Sequence, residues 1–394
     1  MRSYRIGSLF GIPIKLDITF LLVLPLFAYL IAGQVEQTVQ LVNALPRIAI
    51  DPASVADENT RWVVGAVAAI GLFTSVVLHE LGHSLTAMRY GYTIDSITLW
   101  IFGGIAALSE MPENWKQEFM VAIAGPVVSV ALGVLSYVAV AAVPLPTSLG
   151  AVAFVFAYLA VMNVALAVFN MLPGFPMDGG RVLRALLARD RPYARATQIA
   201  ASVGKGFAVL LGLFGLLTTQ WLMIGIAFFI YIGASGESQQ AVMKAVFDGV
   251  TVADVMTPRD RLHTVTPVTS IAELVERMFR ERHTGYPVLD AGELVGIVTL
   301  ADAKDVKPVE RDAYTVGEVM STELKTVDPD MNAMDALQEI QSDDVGRLLV
   351  VEDDELVGLV SRTDLVTAFN VIQESGRLAE VTGERTNEAE QRVA

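Results

Sequence analysis

Long apolar stretches fill most of the first 235 residues. A hydrocarbon core about 30 Å thick needs roughly 20 apolar residues in a helix. Stretches near that length run over Asp17–Ala32, Trp62–Met88, Phe119–Val143, Leu149–Leu172, Ile199–Thr218 and, the shortest, Trp221–Ile232. The first reaches full length only if Ile12 to Lys15 join it. It is long for a signal-peptide core and no small-residue cleavage site follows, so it is read as a retained span. The pattern predicts a polytopic α-helical membrane domain of about six transmembrane helices. Between the second and third stretches the period changes. Residues 92–108 are rich in β-branched and aromatic residues and are interrupted by Gly103 and Gly104, which predicts strands around a glycine turn, a small embedded β region. Unpaired backbone is costly at membrane depth, so such strands must be sheltered by protein or line a wet cavity.

The pattern after residue 250 is that of a soluble repeat. Val255-Met256 recurs as Val319-Met320, and the segment Gly296–Asp302 recurs as Gly358–Asp364. Each copy reads as strand, helix (Ile271–Glu281, then Ala333–Ser342), two strands joined by an acidic turn, and a further helix, a soluble α/β module. The expected organisation is a membrane domain over 1–235, a linker over 236–250, the two repeat copies over 251–308 and 314–372, and a polar, disordered tail over 373–394.

Charge sharpens that division. Residues 1–240 carry 13 Lys/Arg against 13 Asp/Glu, whereas residues 241–394 carry 15 against 30 and hold the whole net charge of −15. The two parts face different solvents, and the acidity of the second argues against nucleic acid as a partner. The chain has no cysteine, which excludes disulfides, thiolate metal sites and cysteine nucleophiles. Arg2 and Arg5 precede the first span, Arg89 follows the second, and Arg181, Arg184, Arg189, Arg191 and Arg195 follow the fourth. With six spans these all fall on one side, so the positive-inside rule puts both termini in the cytoplasm of a multi-pass protein, the cell membrane being the expected location.

The second span ends in Leu78-His79-Glu80-Leu81-Gly82-His83, and the whole chain holds only 4 histidines. Positions i and i+4 share a helix face, so His79 and His83 can present their imidazoles to one metal ion, with Glu80 beside them as the base. The plain alternative is a pair of histidines satisfied inside a helix bundle. It fares poorly, because three ionisable residues within five positions of a membrane helix need partners or a function. Catalytic zinc takes three protein ligands and keeps one position open. With no further histidine in the membrane part, the third ligand should be a carboxylate. Asp178 follows the break of the fourth span at Pro173 and Pro176; it can also be read as a helix cap, and Asp17 and Asp95 are weaker candidates.

These residues resemble the site-2 protease family of intramembrane zinc metalloproteases. The resemblance covers roughly residues 1–235 and rests on His79–His83, Phe102-Gly103-Gly104, Ala124-Gly125-Pro126 and Asn170–Gly180. It implies that His79, His83 and Asp178 bind zinc, that Glu80 is the catalytic base, and that Asn170 sits near the site to polarise a carbonyl or oxyanion. Asn170 can equally satisfy backbone groups freed by the broken helix. Met177 stands where many relatives carry Leu, a conservative departure. The expected activity is hydrolysis of peptide bonds in or near transmembrane segments of other membrane proteins, that is, regulated intramembrane proteolysis. A helical substrate hides its carbonyls, so edge pairing with the strand around Ile97–Leu99 is expected to hold it extended.

The repeat resembles a tandem pair of CBS motifs. That implies one module whose clefts bind adenine nucleotides such as ATP or AMP, with Asp302 and Asp364 on ribose and Thr299 and Ser361 near phosphate. Asp at a helix start can also be a cap, and such modules also serve as docking or homodimerisation units with empty clefts. His263 and His283 read as ordinary surface or cleft residues. A competing reading from another class is a transporter or channel regulated by the CBS pair, since ionisable residues inside a membrane also suit a permeation path. A third, an inactive scaffold, is disfavoured because the ligands and base are all present.

Overall fold

The computed structural model describes residues 3–100, 103–108, 114–142 and 146–375. Phe102 and the tail over 376–394 lie outside the described residues. The chain divides into two compact units, Met1–Ala241 and Val242–Ala394.

The first unit opens with a hairpin where a helix start is expected. β1 (Ser3–Leu9) pairs antiparallel with β2 (Ile12–Asp17) across Phe10 and Gly11. Both turn residues have positive φ, at 52° and 84°, the combination a two-residue hairpin turn requires. Ile12, Ile14 and Asp17 of β2 face inward, so Ile12–Lys15 belong to a sheet and do not lengthen the first span. What remains is α1 (Phe20–Gly33), too short to cross alone, followed by α2 (Val35–Asn43) after a 67° bend. Among the described residues, five helices are long and apolar enough to cross a membrane: α3 (Glu58–Arg89), α4 (Trp115–Ala141), α5 (Gly150–Asn170), α7 (Tyr193–Leu217) and α8 (Trp221–Val246). Counting the bent pair as one span gives six. The protein is a multi-pass membrane protein.

The central helix, α3, has a start dictated by sequence: the Asp57 side chain accepts from Thr60 N–H at 3.1 Å, satisfying one of the orphan donors of the first turn. Small residues then admit neighbours. A Cβ on Gly65 would lie 2.5 Å from the Ala28 carbonyl of α1, and one on Gly82 would lie 2.9 Å from the Ala124 carbonyl of α4. Close backbone approach of this kind replaces the hydrophobic driving force that helices lack in lipid. α8 is longer than expected, so residues 236–246 of the anticipated linker are helix.

The embedded strands exist, as β3 (Ile94–Trp100) and β4 (Gly103–Leu108), but in a larger sheet. The order is β1-β2-β3-β4, with β2 parallel to β3 at Ile14↔Ile97, Lys15↔Thr98 and Leu16↔Leu99. The segment Ile97–Leu99 is therefore internal, paired on both sides, and cannot receive a substrate at its edge. Among the described residues, the unpaired edge next to it belongs to β4. Between α5 and α7, the chain breaks at Pro173 and Pro176 and resumes as the ten-residue α6 (Asp178–Leu187).

The second unit is the expected repeat. α9 (Val252–Val255), β5 (Thr257–Pro258), α10 (Ile271–Glu281), β6 (Gly285–Asp290), β7 (Glu293–Thr299) and α11 (Leu300–Asp305) form the first copy. α12 (Val316–Val319), β8 (Thr326–Val327), α13 (Ala333–Ser342), β9 (Arg347–Glu352), β10 (Glu355–Ser361) and a helix over 362–375, α14, form the second. α14 continues past Gln373, where the polar tail was expected to begin. Capping boxes recur at matching places, Thr251 with Asp254 and Thr315 with Glu318, so both copies start their short helices by the same device. Each copy lends its opening helix to the core of the other: Ile271, Leu274, Tyr286 and Val298 pack with Val316 of the second copy, and Leu348, Val350, Ile340 and Val360 pack with Val252 of the first. Leu348 is fully buried, so Leu348→Ala is expected to destabilise this unit by about 2–5 kcal/mol, read as a lowered midpoint in thermal unfolding.

Candidate metal centre

The i, i+4 pair of α3 lands where it meets α4 and α6. His79 and His83 are each 3% exposed. Their Nε2 atoms are 3.2 Å apart, and Asp178 Oδ2 lies 3.0 Å from the first and 3.1 Å from the second. Among the described residues this is the one group of three His, Cys, Asp or Glu residues whose ligand atoms lie close enough to hold a metal ion. Asp178 does not cap α6: Met177 is the N-cap and makes no side-chain cap bond. Asp17 instead turns its Oδ1 to the Thr19 N–H and hydroxyl at 2.9 and 2.7 Å, and neither it nor Asp95 joins the cluster.

The outer nitrogens explain why these donors suit a cation. His83 Nδ1 lies 2.7 Å from the Val121 carbonyl, which can only accept, so Nδ1 carries the hydrogen and Nε2 of the neutral ring presents a lone pair. His79 Nδ1 is held by Ser129 Oγ at 2.8 Å. Lone pairs then converge on one point with spacings close to the edge, about 3.3 Å, of a tetrahedron whose ligands sit about 2.0–2.1 Å from zinc. Orientation of ligating imidazoles through the far nitrogen is the usual outer arrangement of such sites. The point is also kept clear. A Cβ on Gly125 would fall 2.2 Å from His83 Nε2 and 2.7 Å from His79 Nε2. Donor chemistry and space both fit zinc.

Glu80 is half-buried beside the sheet. A Cβ on Gly104 of β4 would meet its Cγ at 2.5 Å and its Oε1 at 3.4 Å, so the glycine lets the β4 backbone lie against the carboxylate. Arg181, one turn into α6, is within electrostatic reach of Asp178, Glu237, Glu80 and Glu118. Asn170, the last residue of α5, is half-buried, and among the described residues no hydrogen bond joins it to the cluster. Several buried polar groups escaped the sequence reading: Ser129, the Glu118–Arg184 pair at 2.5 Å, and Asn163, which donates to Ser75 Oγ at 3.1 Å. A signal existed for the first two. Glu118, Gly125 and Ser129 recur at helical spacing on one face of α4, and Glu118 is an acid at the rim of an apolar span.

In the second unit a cavity of about 670 Å³ is lined by Arg261, Arg282, Arg347 and Arg362, with His263 and His283, against the acids Asp344 and Asp364. Ser361 also lines it, whereas Thr299 and Asp302 do not. Both aspartates cap: Asp302 Oδ2 accepts from Thr299 N–H and hydroxyl, each at 2.7 Å, and Asp364 Oδ2 from Ser361 at 2.9 and 2.7 Å. The His263 and His283 rings are 4.9 Å apart, and His263 Nδ1 is 2.9 Å from Glu281 Oε2. Although desolvation pushes Glu281 upward, the Tyr286 hydroxyl and Arg277 hold its carboxyl below the usual carboxylate range.

Two buried histidines and a partly buried aspartate converging on a multi-pass helical scaffold mark a membrane metalloprotein. Comparison with known proteins agrees. The family model "Peptidase family M50" matches residues 67–148 and 146–211, and "CBS domain" matches 252–307 and 316–371. The chain is 34% identical to the zinc metalloprotease MJ0392 of Methanocaldococcus jannaschii over 94% of this chain and 97% of that protein. It is 37% identical to the CBS domain-containing protein YhcV of Bacillus subtilis over 29% of this chain and 82% of that one. A solved structure, the site-2 protease from Methanocaldococcus jannaschii, is 36% identical, covers 60% of this chain and 95% of its own, and superposes with a TM-score of 0.42. The chain belongs to peptidase family M50, the site-2 protease family, and carries tandem CBS domains; it is a zinc metalloendopeptidase.

Because Gly125 leaves the convergence point open, Gly125→Ala is expected to lower zinc affinity by about 100-fold, the upper end of what supporting residues contribute, as measured by metal content after dialysis against a chelating buffer.

Proposed function

We propose that the protein cleaves peptide bonds in or near transmembrane segments of other membrane proteins, with His79, His83 and Asp178 holding zinc and Glu80 acting as the base. The observation that carries this reading is the convergence of two buried imidazoles and a partly buried carboxylate, 3.0–3.2 Å apart, near the end of a helix long and apolar enough to cross a bilayer. Zinc bound there supplies Lewis-acid activation of water and of the scissile carbonyl. Glu80 takes the proton of the attacking water on its carboxylate and returns it to the leaving amine. Ser129 and the Val121 carbonyl fix the two imidazoles. The free edge of β4 is the surface on which an unwound substrate strand would pair, and its backbone at Gly104 lies against Glu80.

With both termini in the cytoplasm, Arg89 and the arginines after α5 lie at the inner interface of the cell membrane and the site opens toward that side. The CBS pair senses adenine nucleotides. Four arginines in one cavity of an otherwise acidic unit favour a phosphorylated ligand, and Ser361 and Asp364 line the same cavity. Thr299 and Asp302 find no support as ligands there. Homodimerisation through the module is the alternative use.

Glu80→Gln keeps the metal donors and removes the base. Cleavage of a membrane-embedded reporter in detergent is expected to fall by at least about 100-fold with zinc content unchanged; a regulated transporter would instead keep its flux in this variant. For the module, Arg362→Ala should weaken ATP binding to the full-length protein by at least about tenfold, the loss of one charged contact, as read by titration calorimetry. A flat heat signal for ATP and AMP with the unaltered protein would leave only the dimerisation role.

A further inference from the structure

We propose that Arg184 is a positioning residue for Asp178: it fastens α6 to the face of α4 that also orients both histidines, and so sets the carboxylate at the metal point. The proposal rests on the ligand reading given above.

The start of α6 is packed but carries no polar tie of its own: Phe175 and Met177 are buried just before it and Gly179 and Gly180 lie against the backbone of residues 171–175, while the N-cap Met177 supplies no side-chain bond. A directional tie to α4 comes from further along the ten-residue helix. Arg184 is 3% exposed, although an arginine near a membrane rim ordinarily extends toward water. Its Nε donates to Glu118 Oε1 of α4 at 2.6 Å, and one terminal nitrogen approaches the same oxygen at 2.5 Å. The other lies 3.6 Å from Glu237 Oε2 of α8. The guanidinium carbon is 4.8 Å from the centre of the Phe175 ring, in the break before α6, and 4.7 Å from that of Tyr193 at the start of α7. Glu118 Oε2 is buried and, among the described residues, has no hydrogen-bond partner, so the hydrogen bonds of this carboxylate go to Arg184 through Oε1.

What makes this more than a structural clamp is where Glu118 sits. Residues 118, 121, 125 and 129 share one face of α4, separated by three or four positions. Val121 receives His83 Nδ1, Ser129 holds His79 Nδ1, and Gly125 keeps the metal point open. One helix face therefore registers the two imidazoles directly and the aspartate through Arg184. Arg184 follows Asp178 by six positions, about 9 Å along a helix, a lever short and stiff enough to carry that registration.

The test is a thermodynamic cycle read through the metal itself. Metal-free full-length protein in detergent is titrated with Co2+, followed by the visible absorption of the bound ion. The proteins compared are the unaltered chain, Asp178→Asn, the pair Glu118→Gln with Arg184→Met, and all three changes together. The pair removes the ion bridge without stranding a buried charge. It is expected to lower Co2+ affinity by about 10- to 100-fold and to shift the absorption toward that of Asp178→Asn. In the Asp178→Asn background the same two changes should add no more than about twofold, the scatter of independent effects. A full additive loss in that background, or unaltered affinity and absorption in the pair, overturns the proposal. Unchanged affinity in Asp178→Asn alone overturns the ligand assignment and the proposal with it. Should the pair not fold, Arg184→Lys keeps the charge and loses the fork and the planar stack. The same comparison then applies, with an intermediate loss expected and wild-type behaviour overturning the idea.

Discussion

Ionisable groups on a lipid-embedded helix must find their partners inside the protein, and each costs about 2.5–3.5 kcal/mol or more if it does not. His79, Glu80 and His83 put that demand on a single turn and a half of α3. The surrounding structure answers it with Ser129 and the Val121 carbonyl on the outer imidazole nitrogens and Asp178 on the inner ones. Glycines at 104 and 125 let backbone and space come close to groups that any Cβ would displace. The break between α5 and α6, which delivers Asp178, and the embedded sheet, whose Gly104 lies against Glu80, both meet this turn of α3.

α4 acts as the template. It has the stronger apolar character of a span, yet one face carries Glu118, Gly125 and Ser129, and Pro126 sits in its middle. A proline inside a membrane helix frees a carbonyl that neighbours must satisfy. Here the helix is also the element against which α3 packs at Gly82. Burying the Glu118–Arg184 pair costs desolvation that the mutual attraction only partly repays. The gain lies in geometry: an arginine fork pins a short helix more tightly than apolar contact, which is non-directional.

The helix spacing of His79 and His83, the strand character around residues 94–108 and the internal repeat were legible because each depends on a local period. The bounds of α10 and α13 follow from amphipathic runs in the same way. What was not legible depends on pairing between distant segments. β3 looked like an edge because the sequence gives no sign that Ile12–Asp17, an apolar run adjoining a span, would pair with it; the tight turn at Phe10 and Gly11 that folds β2 back onto β1 is seen only in the structure. Arg184 was counted among the loop cations that orient the protein, since a positive charge after a span reads the same whether it faces water or Glu118. The end of α8 was missed because its polar second half, Gly236–Val246, is helical without being apolar. Asp302 and Asp364 were read both ways, as caps and as cleft residues, and the capping bonds are present for both.

The position of the sheet bears on how a scissile bond could meet a base held on a helix. A substrate segment arriving as a helix has every carbonyl engaged, and water alone cannot compete for them in an apolar setting. An open strand edge offers the alternative partner, a row of unpaired N–H and C=O groups. β3 cannot serve, since β2 and β4 flank it, and β1 lies at the far side of the order β1-β2-β3-β4. β4 combines an open edge with direct apposition to Glu80 through Gly104, where an alanine Cβ would sit 2.5 Å from the Glu80 side chain. The glycine is therefore required less for its turn than for the absence of a side chain. Its backbone conformation does not call for glycine, whereas that of Gly103, with φ of 128°, does. Two adjacent glycines thus have two different physical reasons, one for bending the strand pair and one for bringing an edge to the base.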